Sequence, residues 1–218
     1  MSTFPGSPKL TKGGIVLINP TTSAVKRVIS MQYNPDTLTR TFQIQSVGGE
    51  GGDQAESMRL TGPPVETYKL EAEIDATDQL ALPDENADVV ETGLHAQLAA
   101  LETIIYPTSG QLTTNNMLNN IGTLEIVPME SPLTLFVWSK KRIVPVRLTE
   151  FSITEEAFDT SLNPIRAKVT LGMRVLSITD LGFNHKGGNL YMVYHRAKES
   201  LSKQAQNSAL GTMGIGGI

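Results

Sequence analysis

The chain has 218 residues, of which 39% are hydrophobic and 18% charged, and its formal net charge is -4 at pH 7. These values predict a globular protein with one sizeable core and give no electrostatic reason to expect nucleic acid as a partner. The absence of cysteine excludes disulfides, thiolate nucleophiles and zinc–thiolate sites.

The sequence also lacks the features of a membrane or exported chain. It contains no run of about 18 apolar residues, so we expect no membrane-spanning helix and no direct membrane insertion. Residues 1–8 lack the basic-then-apolar pattern of a signal peptide. Together with the missing cysteines, this favours assembly in the cytoplasm.

The first residues predict three short strands, at Gly13–Asn19, Lys26–Tyr33 and Leu38–Gln45. Asn34-Pro35-Asp36 separates the last two and is a turn signal, because proline fixes φ and the Asn and Asp side chains hydrogen-bond their own backbone. We therefore expect a hairpin from Lys26 to Gln45.

A glycine-rich segment follows this predicted hairpin. Gly48 to Gly52 contains four glycines, and each loses much backbone entropy when it is ordered. The sequence therefore predicts a mobile loop over residues 47–58. No Gly-Lys-Ser/Thr follows, so this loop does not have the pattern of a phosphate-binding loop.

The segment from Arg59 to Asp78 has the clearest pattern. A turn at Gly62-Pro63-Pro64 precedes a strict alternation. Apolar residues share one face and charged residues the other: Tyr68, Leu70, Ala72, Ile74 and Ala76 against Lys69, Glu71, Glu73 and Asp75. A period of two predicts a strand with one dry face and one face that meets water or a partner.

One internal helix is predicted next. Its apolar stripe consists of Leu94, Leu98, Leu101 and Ile105. Pro107 ends it, because proline cannot continue the hydrogen-bond ladder. Residues 108–120 are polar and are predicted to form a loop.

The second half is rich in strands. Four are predicted, at Thr123–Val127, Leu133–Trp138, Ile143–Ile153 and Ile165–Val175. Within the third, the apolar positions change from even to odd numbers, which indicates a β-bulge near Thr149-Glu150.

The C-terminal part differs from the rest. Gly182–Gly188 is a predicted hinge, and Asn189 can cap a helix whose apolar stripe is Leu190, Val193, Ala197 and Leu201. Residues 207–218 contain four glycines and are expected to fray. The pattern thus predicts a β domain over residues 1–181 and a helical extension with a flexible tail over residues 182–218.

The elements together predict a mainly β protein: an antiparallel β-barrel or sandwich with one flanking helix and a C-terminal helix. The predicted strands and turns alone do not decide its function.

No residue set forms a recognisable catalytic, cofactor or metal site. The three histidines, His95, His185 and His195, lack metal-ligand spacing. The acidic cluster of Asp75, Asp78, Asp84, Glu85 and Asp88 lacks the spacing of a calcium loop, and no Gly-x-Ser-x-Gly is present. A glycosidase needs only two suitably separated carboxylates, so that alternative stays open.

Basic residues cluster in the last hairpins: Lys140, Lys141, Arg142, Arg147, Arg166, Lys168 and Arg174. Few aromatic residues lie among them, and Glu150, Glu155 and Glu156 are close in sequence. This composition favours a protein–protein surface over a nucleic-acid surface.

Three stretches resemble the tube-domain family of contractile injection systems. They are Met31–Leu38, which is similar to that family's opening hairpin, Thr61–Thr67 with the downstream Asp75–Asp78, and Pro145–Phe158 leading to Leu162–Val169. They occur in the family's order over roughly residues 13–178.

The resemblance implies a phage tail-tube β-barrel with a flanking helix, assembled as a hexameric ring within a phage-tail-like particle, either released or membrane-docked. Similar family members are tube initiators or adaptors between the spike hub and the inner tube. The resemblance therefore implies a structural, non-enzymatic ring subunit that joins the hub to the tube and nucleates tube assembly. Its implied partners are the inner-tube, spike and baseplate proteins, with no cofactor.

Two alternatives stay open at this point. One is the bulk inner-tube protein of the same machine, and the other is a secreted β-sandwich hydrolase or carbohydrate binder. Side chains lining a bore are expected to be polar, such as Gln43, Gln45, Glu71, Glu73, Arg166 and Lys168. The residues predicted to contact neighbouring subunits are Asn34, Pro35, Gly62, Pro63, Pro64, Arg166, Leu190, Val193 and Leu201.

Overall fold

The computed structural model describes residues 11–46, 59–120 and 131–205. The predicted mobile loop at residues 47–58, the strand predicted at residues 123–127 and the tail at residues 207–218 lie outside the described residues.

The alternating segments form strands, and these strands make one antiparallel sheet. They are β1 (Gly14–Ile18), β2 (Val25–Ser30), β3 (Leu38–Gln43), β4 (Val65–Asp75), β5 (Leu133–Ser139), β6 (Arg142–Phe158) and β7 (Pro164–Val175). Their order across the sheet is β2-β1-β5-β6-β7-β4-β3. The mainly β, antiparallel fold class predicted from the sequence is confirmed.

The core lies on the inner face of this sheet, where the alternation of β4 and β7 places their apolar residues. Tyr68 and Leu70 of β4 lie opposite Met173 and Leu171 of β7, and all four are buried. Phe136 of β5 packs beside Tyr68, with ring centroids 5.3 Å apart. Burying such side chains contributes about 1.5–3 kcal/mol each, so this face stabilises the fold.

Helices flank the sheet. They are α1 (Thr77–Leu80), α2 (Ala87–Thr92), α3 (His95–Glu102), α4 (Ser109–Asn120), α5 (Ile178–Leu181) and α6 (Lys186–Ser202), with a 3₁₀ turn at Pro83–Glu85. The predicted internal helix is α3, which buries Leu98 and Leu101 as expected, whereas Ile105 lies beyond its end and is half exposed. None of the described helices is long and apolar enough to cross a bilayer.

The predicted loop at residues 108–120 is wrong, because residues 109–120 form α4. The hydroxyls of Thr113 and Thr114 donate hydrogen bonds to the carbonyls four residues earlier, at Ser109 and Gly110. Polar residues of this kind have low helix propensity, so the pattern did not predict a helix there.

The predicted hairpin from Lys26 to Gln45 is also wrong. β2 pairs with β1 and β3 pairs with β4, at opposite edges of the sheet. The connection between them is held by side chains. The Gln32 amide donates to the Asp75 carbonyl (2.7 Å) and accepts from the Asp75 N–H (2.9 Å), as a neighbouring strand would. A turn signal shows where the chain leaves a strand but does not choose the next partner.

The predicted β-bulge is confirmed. The β6–β7 register shifts between Leu148 and Glu150, and the apolar positions change phase there. The core side chains before the bulge include Val146, and those after it include Phe151 and Ile153.

Candidate functional site

The outer side of the sheet carries one extended polar surface, which we call the polar face. It spans β3, β4, β7 and the second half of β6. Its two ends, at Val65 and at the Phe158–Pro164 pair, are apolar, and Gly172 in its middle carries no side chain. Its members are Thr39, Thr41, Gln43, Thr67, Lys69, Glu71, Glu73, Asp75, Arg147, Glu150, Ser152, Thr154, Glu156, Arg166, Lys168, Thr170 and Arg174.

Ion pairs between strands order the charged side chains of the polar face, and one of them, Lys69–Glu150, spans β7 at Gly172. Lys69 Nζ lies 3.0 Å from a Glu150 oxygen, and Lys168 Nζ lies 3.1 Å from a Glu156 oxygen. Arg166 bridges Asp75 at 2.8 Å and Glu73 at 3.6 Å. Except for Asp75, whose side chain is 16% exposed, these groups are solvent-exposed, so the pairs add little to stability, but they balance the charge of the surface.

The ionisation of these groups agrees with their contacts. Hydrogen bonds from Thr77 lower the pKa of Asp75, and the Arg166 guanidinium adds to that effect. The hydrogen bond with Glu156 raises the pKa of Lys168. Both groups are therefore charged at neutral pH, and the pairing is maintained.

Two open strand edges bound the polar face. In the part of the chain that the structure describes, no strand pairs with β3 on the side away from β4. β5 pairs with β6 only as far as Val146, so among the described strands residues 147–158 of β6 pair with β7 alone, on one side. Unpaired edges of this length are templates for another strand.

The direction of the free backbone groups follows from one hydrogen bond. Ala76 N donates to the Ile165 carbonyl, so odd-numbered residues of β7 direct their backbone groups toward β4 and even-numbered ones toward β6. Glu155 lies opposite Ala167 in the register. Its own N–H therefore points away from β7, into the open edge.

A second polar group lies on the core side of the same sheet, under α6, and we call it the Glu66 cluster. It consists of Arg40, Glu66, Tyr68, Tyr194 and Lys198. Glu66 is 3% exposed, and one of its oxygens accepts hydrogen bonds from Arg40 (2.7 Å) and Tyr194 (2.8 Å). Its other oxygen accepts one from Lys198 (2.7 Å).

Burial and hydrogen bonding shift the pKa values in this cluster in opposite directions. Burial alone would raise the pKa of Glu66, but hydrogen bonds from Lys198 and Arg40 outweigh it and lower the pKa. Burial raises the pKa of Tyr68 to about 12 and also raises that of Tyr194, and their hydroxyls are 2.7 Å apart. At neutral pH the cluster therefore holds one carboxylate, two cations and two neutral phenols.

We expect the stabilising effect of the Glu66 charge to persist down to about pH 4.5, the ordinary pKa of a glutamate, and to be lost below it. The pKa is lowered in the folded chain, so stability declines as pH falls through the folded value. The groups facing Glu66 are Arg40 from β3, Tyr68 from β4, and Tyr194 and Lys198 from α6, and Tyr191 of α6 lies near enough to sense its charge. Thermal unfolding of the wild type and of Glu66→Gln measures this as a difference in Tm, which should shrink below pH 4.5. A difference that is constant to about pH 3 would contradict the assignment.

Sequence reasoning missed the Glu66 cluster, although the pattern contained one signal. Glu66 has the same parity as Tyr68, Leu70 and Ala72, so it falls on the dry face of β4. A carboxylate in phase with a buried apolar row needs partners. Its partners come from β3 and α6, which no local pattern connects to β4.

The residues predicted to contact neighbouring subunits lie in separate places. Asn34 uses its side chain within the chain, accepting from Gly13 N (2.9 Å) and donating to the Thr11 carbonyl (2.9 Å). Pro35 is half-buried beside it. Gly62, Pro63 and Pro64 lie just before β4, where the two prolines line a shallow pocket with Arg174. Arg166 is on the polar face.

The three remaining candidates are on α6. Leu190 packs partly against Ile18, Leu133 and Leu135, whereas Val193 is 62% exposed and Leu201 is 41% exposed. Only Leu190 of these three therefore packs on the sheet. Tyr191 and Tyr194, on the adjacent side of the helix, are the buried residues. The role of the nine candidates in subunit contacts stays a prediction.

The histidines do not converge. His185 caps α6 by accepting from Gly187 N (3.1 Å), and His195 lies 3.4 Å from Glu199 on the same helix. Within residues 11–46, 59–120 and 131–205, no group of three or more possible metal-ligating side chains is found.

The family model for contractile injection system tube proteins matches residues 9–179. The chain belongs to this family. The match covers β1 to β7 and therefore the whole polar face, and it ends within α5. This contractile injection system tube protein thus carries α6 beyond the matched region.

No curated protein sequence matches this tube protein. Among solved structures, a chain described as the tail of an empty GTA particle, computed with helical refinement in C6 symmetry, has 14% identity and a TM-score of 0.28. The similarity covers 75% of this chain and 90% of that chain, and it adds nothing to the family assignment.

Proposed function

We propose that this tube protein is a structural ring subunit whose polar face lines the bore of the tube. The observation that supports this is a polar surface bounded on both sides by strand edges that no strand in the described part of the chain covers. Joining β3 of one subunit to residues 147–158 of β6 in the next would continue the sheet around a ring. The apolar cores would then lie outside the ring of strands and the polar faces inside it.

The ring is proposed to be a hexamer, as the resemblance to tube proteins implies, and to act without catalysis. Asp75, the candidate carboxylate with the clearest contacts, is held by Thr77 and Arg166, as a structural side chain would be. The proposed partners are the inner-tube, spike and baseplate proteins, in a phage-tail-like particle assembled in the cytoplasm.

We further propose that the ring is a tube initiator at the baseplate. Two features support this. The stretches at Met31–Leu38, Thr61–Thr67 and Pro145–Phe158 resemble initiators or adaptors, and α6 lies beyond the part matched by the family model. A subunit that stacks on itself needs two complementary ring ends, whereas an initiator meets a different protein at each end.

The copy number of the protein in purified particles tests the initiator proposal. One ring of copies per particle is expected, counted by quantitative mass spectrometry against the inner-tube protein. The purified protein should also form single rings that do not elongate at high concentration. Many stacked rings would identify the bulk inner-tube protein instead, and a persistent monomer inside and outside particles would contradict the ring itself.

A further inference from the structure

Helix α6 packs on the sheet through the buried rings of Tyr191 and Tyr194 and through Leu190, and the Glu66 cluster supplies its polar attachment. Lys198 Nζ lies 2.7 Å from Glu66, and its charge also lies over the Tyr194 ring, 4.1 Å from the centroid. Tyr194 donates to Glu66 and shares a hydrogen bond with Tyr68. Hydrogen bonds to a buried charge depend on geometry far more than apolar contacts do, so this attachment has few intermediate states.

The sheet already holds its own cation for Glu66. Arg40 of β3 lies opposite Tyr68 in the register and bonds Glu66 through Nη2 at 2.7 Å. If α6 leaves, Glu66 keeps this partner, and Lys198 enters water. A buried pair that loses its only partner leaves an uncompensated charge, which is strongly unfavourable. Because Glu66 has two cationic partners, the loss of Lys198 does not leave its charge uncompensated.

The turn before α6 requires glycine at two positions. Gly182 has φ +71° and ψ 163°, a conformation that side-chain-bearing residues rarely adopt. Gly188 packs so closely on it that an added Cβ would lie 1.9 Å from the Gly182 carbonyl oxygen. The docked position of α6 therefore relies on a precise contact between two glycines at its start.

We propose that α6 is a releasable strap, fastened by Lys198 and Tyr194 to Glu66, which opens about Gly182 while the sheet stays folded. Opening uncovers the core side of β3 and β4 at Arg40 and Tyr68. This conformational device is independent of the ring proposed above, because it concerns a single subunit. Local opening of one helix below the global unfolding energy is a general property of proteins with separable units.

Hydrogen exchange of the full chain, measured by mass spectrometry, tests the strap. Lys198→Met removes the strap cation, keeps a long apolar side chain and leaves the Glu66–Arg40 pair intact. We expect amide exchange across Tyr191–Ser202 to rise by on the order of tenfold, because one charge-assisted hydrogen bond is lost. Exchange in β4 and β7 should not change.

Two further variants support the test. Lys203→Met is the matched control, because Lys203 is the exposed C-cap residue of the same helix and makes no ion pair among the described residues. Amide exchange across α6 in this variant should equal that of the wild type. Tyr194→Phe, which keeps the ring, should raise exchange in α6 in the same direction. Unchanged exchange in Lys198→Met, or an equal rise in α6, β4 and β7, would overturn the proposal.

Discussion

Glu155→Pro should abolish ring assembly while leaving the subunit folded. Glu155 is exposed, and its N–H points into the open edge of β6, away from β7. Proline removes that donor and places a ring where a neighbouring strand would approach, as at many natural sheet edges. Because no ladder bond to β7 is lost, thermal unfolding of the monomer should change little. Sedimentation velocity and negative-stain microscopy measure the loss of rings.

The matched variant Glu155→Ala removes the carboxylate but keeps the N–H. It should assemble as the wild type does. The comparison thus distinguishes the effect of the backbone donor on assembly from the effect of the side chain. A second comparison is Thr154→Pro. In the wild type, the Thr154 N–H points toward β7, at Lys168. That variant should destabilise the fold itself. Rings of normal yield from Glu155→Pro would show that this edge does not join subunits.

Glu66→Ala should cause the largest loss of stability of any single charge removal in the described residues. The change removes the anion shared by Arg40 and Lys198 and leaves the Tyr194 hydroxyl without its acceptor on Glu66. Removing one member of a buried, hydrogen-bonded ion pair costs about 3–5 kcal/mol. Since Arg40 and Lys198 are partly exposed and can recover water, we expect about 2–4 kcal/mol here. Chemical denaturation measures this free energy of unfolding.

Glu71→Ala is the control within the same strand. Glu71 is exposed on the polar face, five residues along from Glu66 and of opposite parity, so its removal should change the free energy of unfolding by less than about 0.5 kcal/mol. Equal effects of the two substitutions would show that the Glu66 cluster is not a centre of stability.

The strands of the sheet could largely be predicted from the sequence, because alternation reports which face of a strand is dry. The β6 bulge was predictable for the same reason, since an extra residue changes the parity of Val146 relative to Phe151. Strand partners were not predictable. Nothing local to residues 26–45 shows that β2 joins β1 and that β3 joins β4.

The face of α6 was mispredicted for a different physical reason. Hydrophobic spacing selected Leu190, Val193, Ala197 and Leu201, but the docked side is built from Tyr191, Tyr194 and Lys198. From the sequence alone, two amphipathic tyrosines and a lysine are typical of a solvent-facing side of a helix. They become the docked side because a buried carboxylate lies opposite them in the fold. The polar face, in contrast, followed from parity, and only its open edges needed the sheet order.

The balance of charge on the polar face has a consequence for anything that slides along it. The polar face carries equal numbers of basic and acidic side chains. The basic ones are Lys69, Arg147, Arg166, Lys168 and Arg174, and the acidic ones are Glu71, Glu73, Asp75, Glu150 and Glu156. Arg147 and Arg174 lie opposite each other in the register. The other opposite charges lie close together and cancel within a short distance of the wall, and salt screens what is left. In the proposed bore, a polypeptide of either sign would meet a hydrated wall with little net field. Such a wall neither traps nor repels its contents, so motion along it would have low friction.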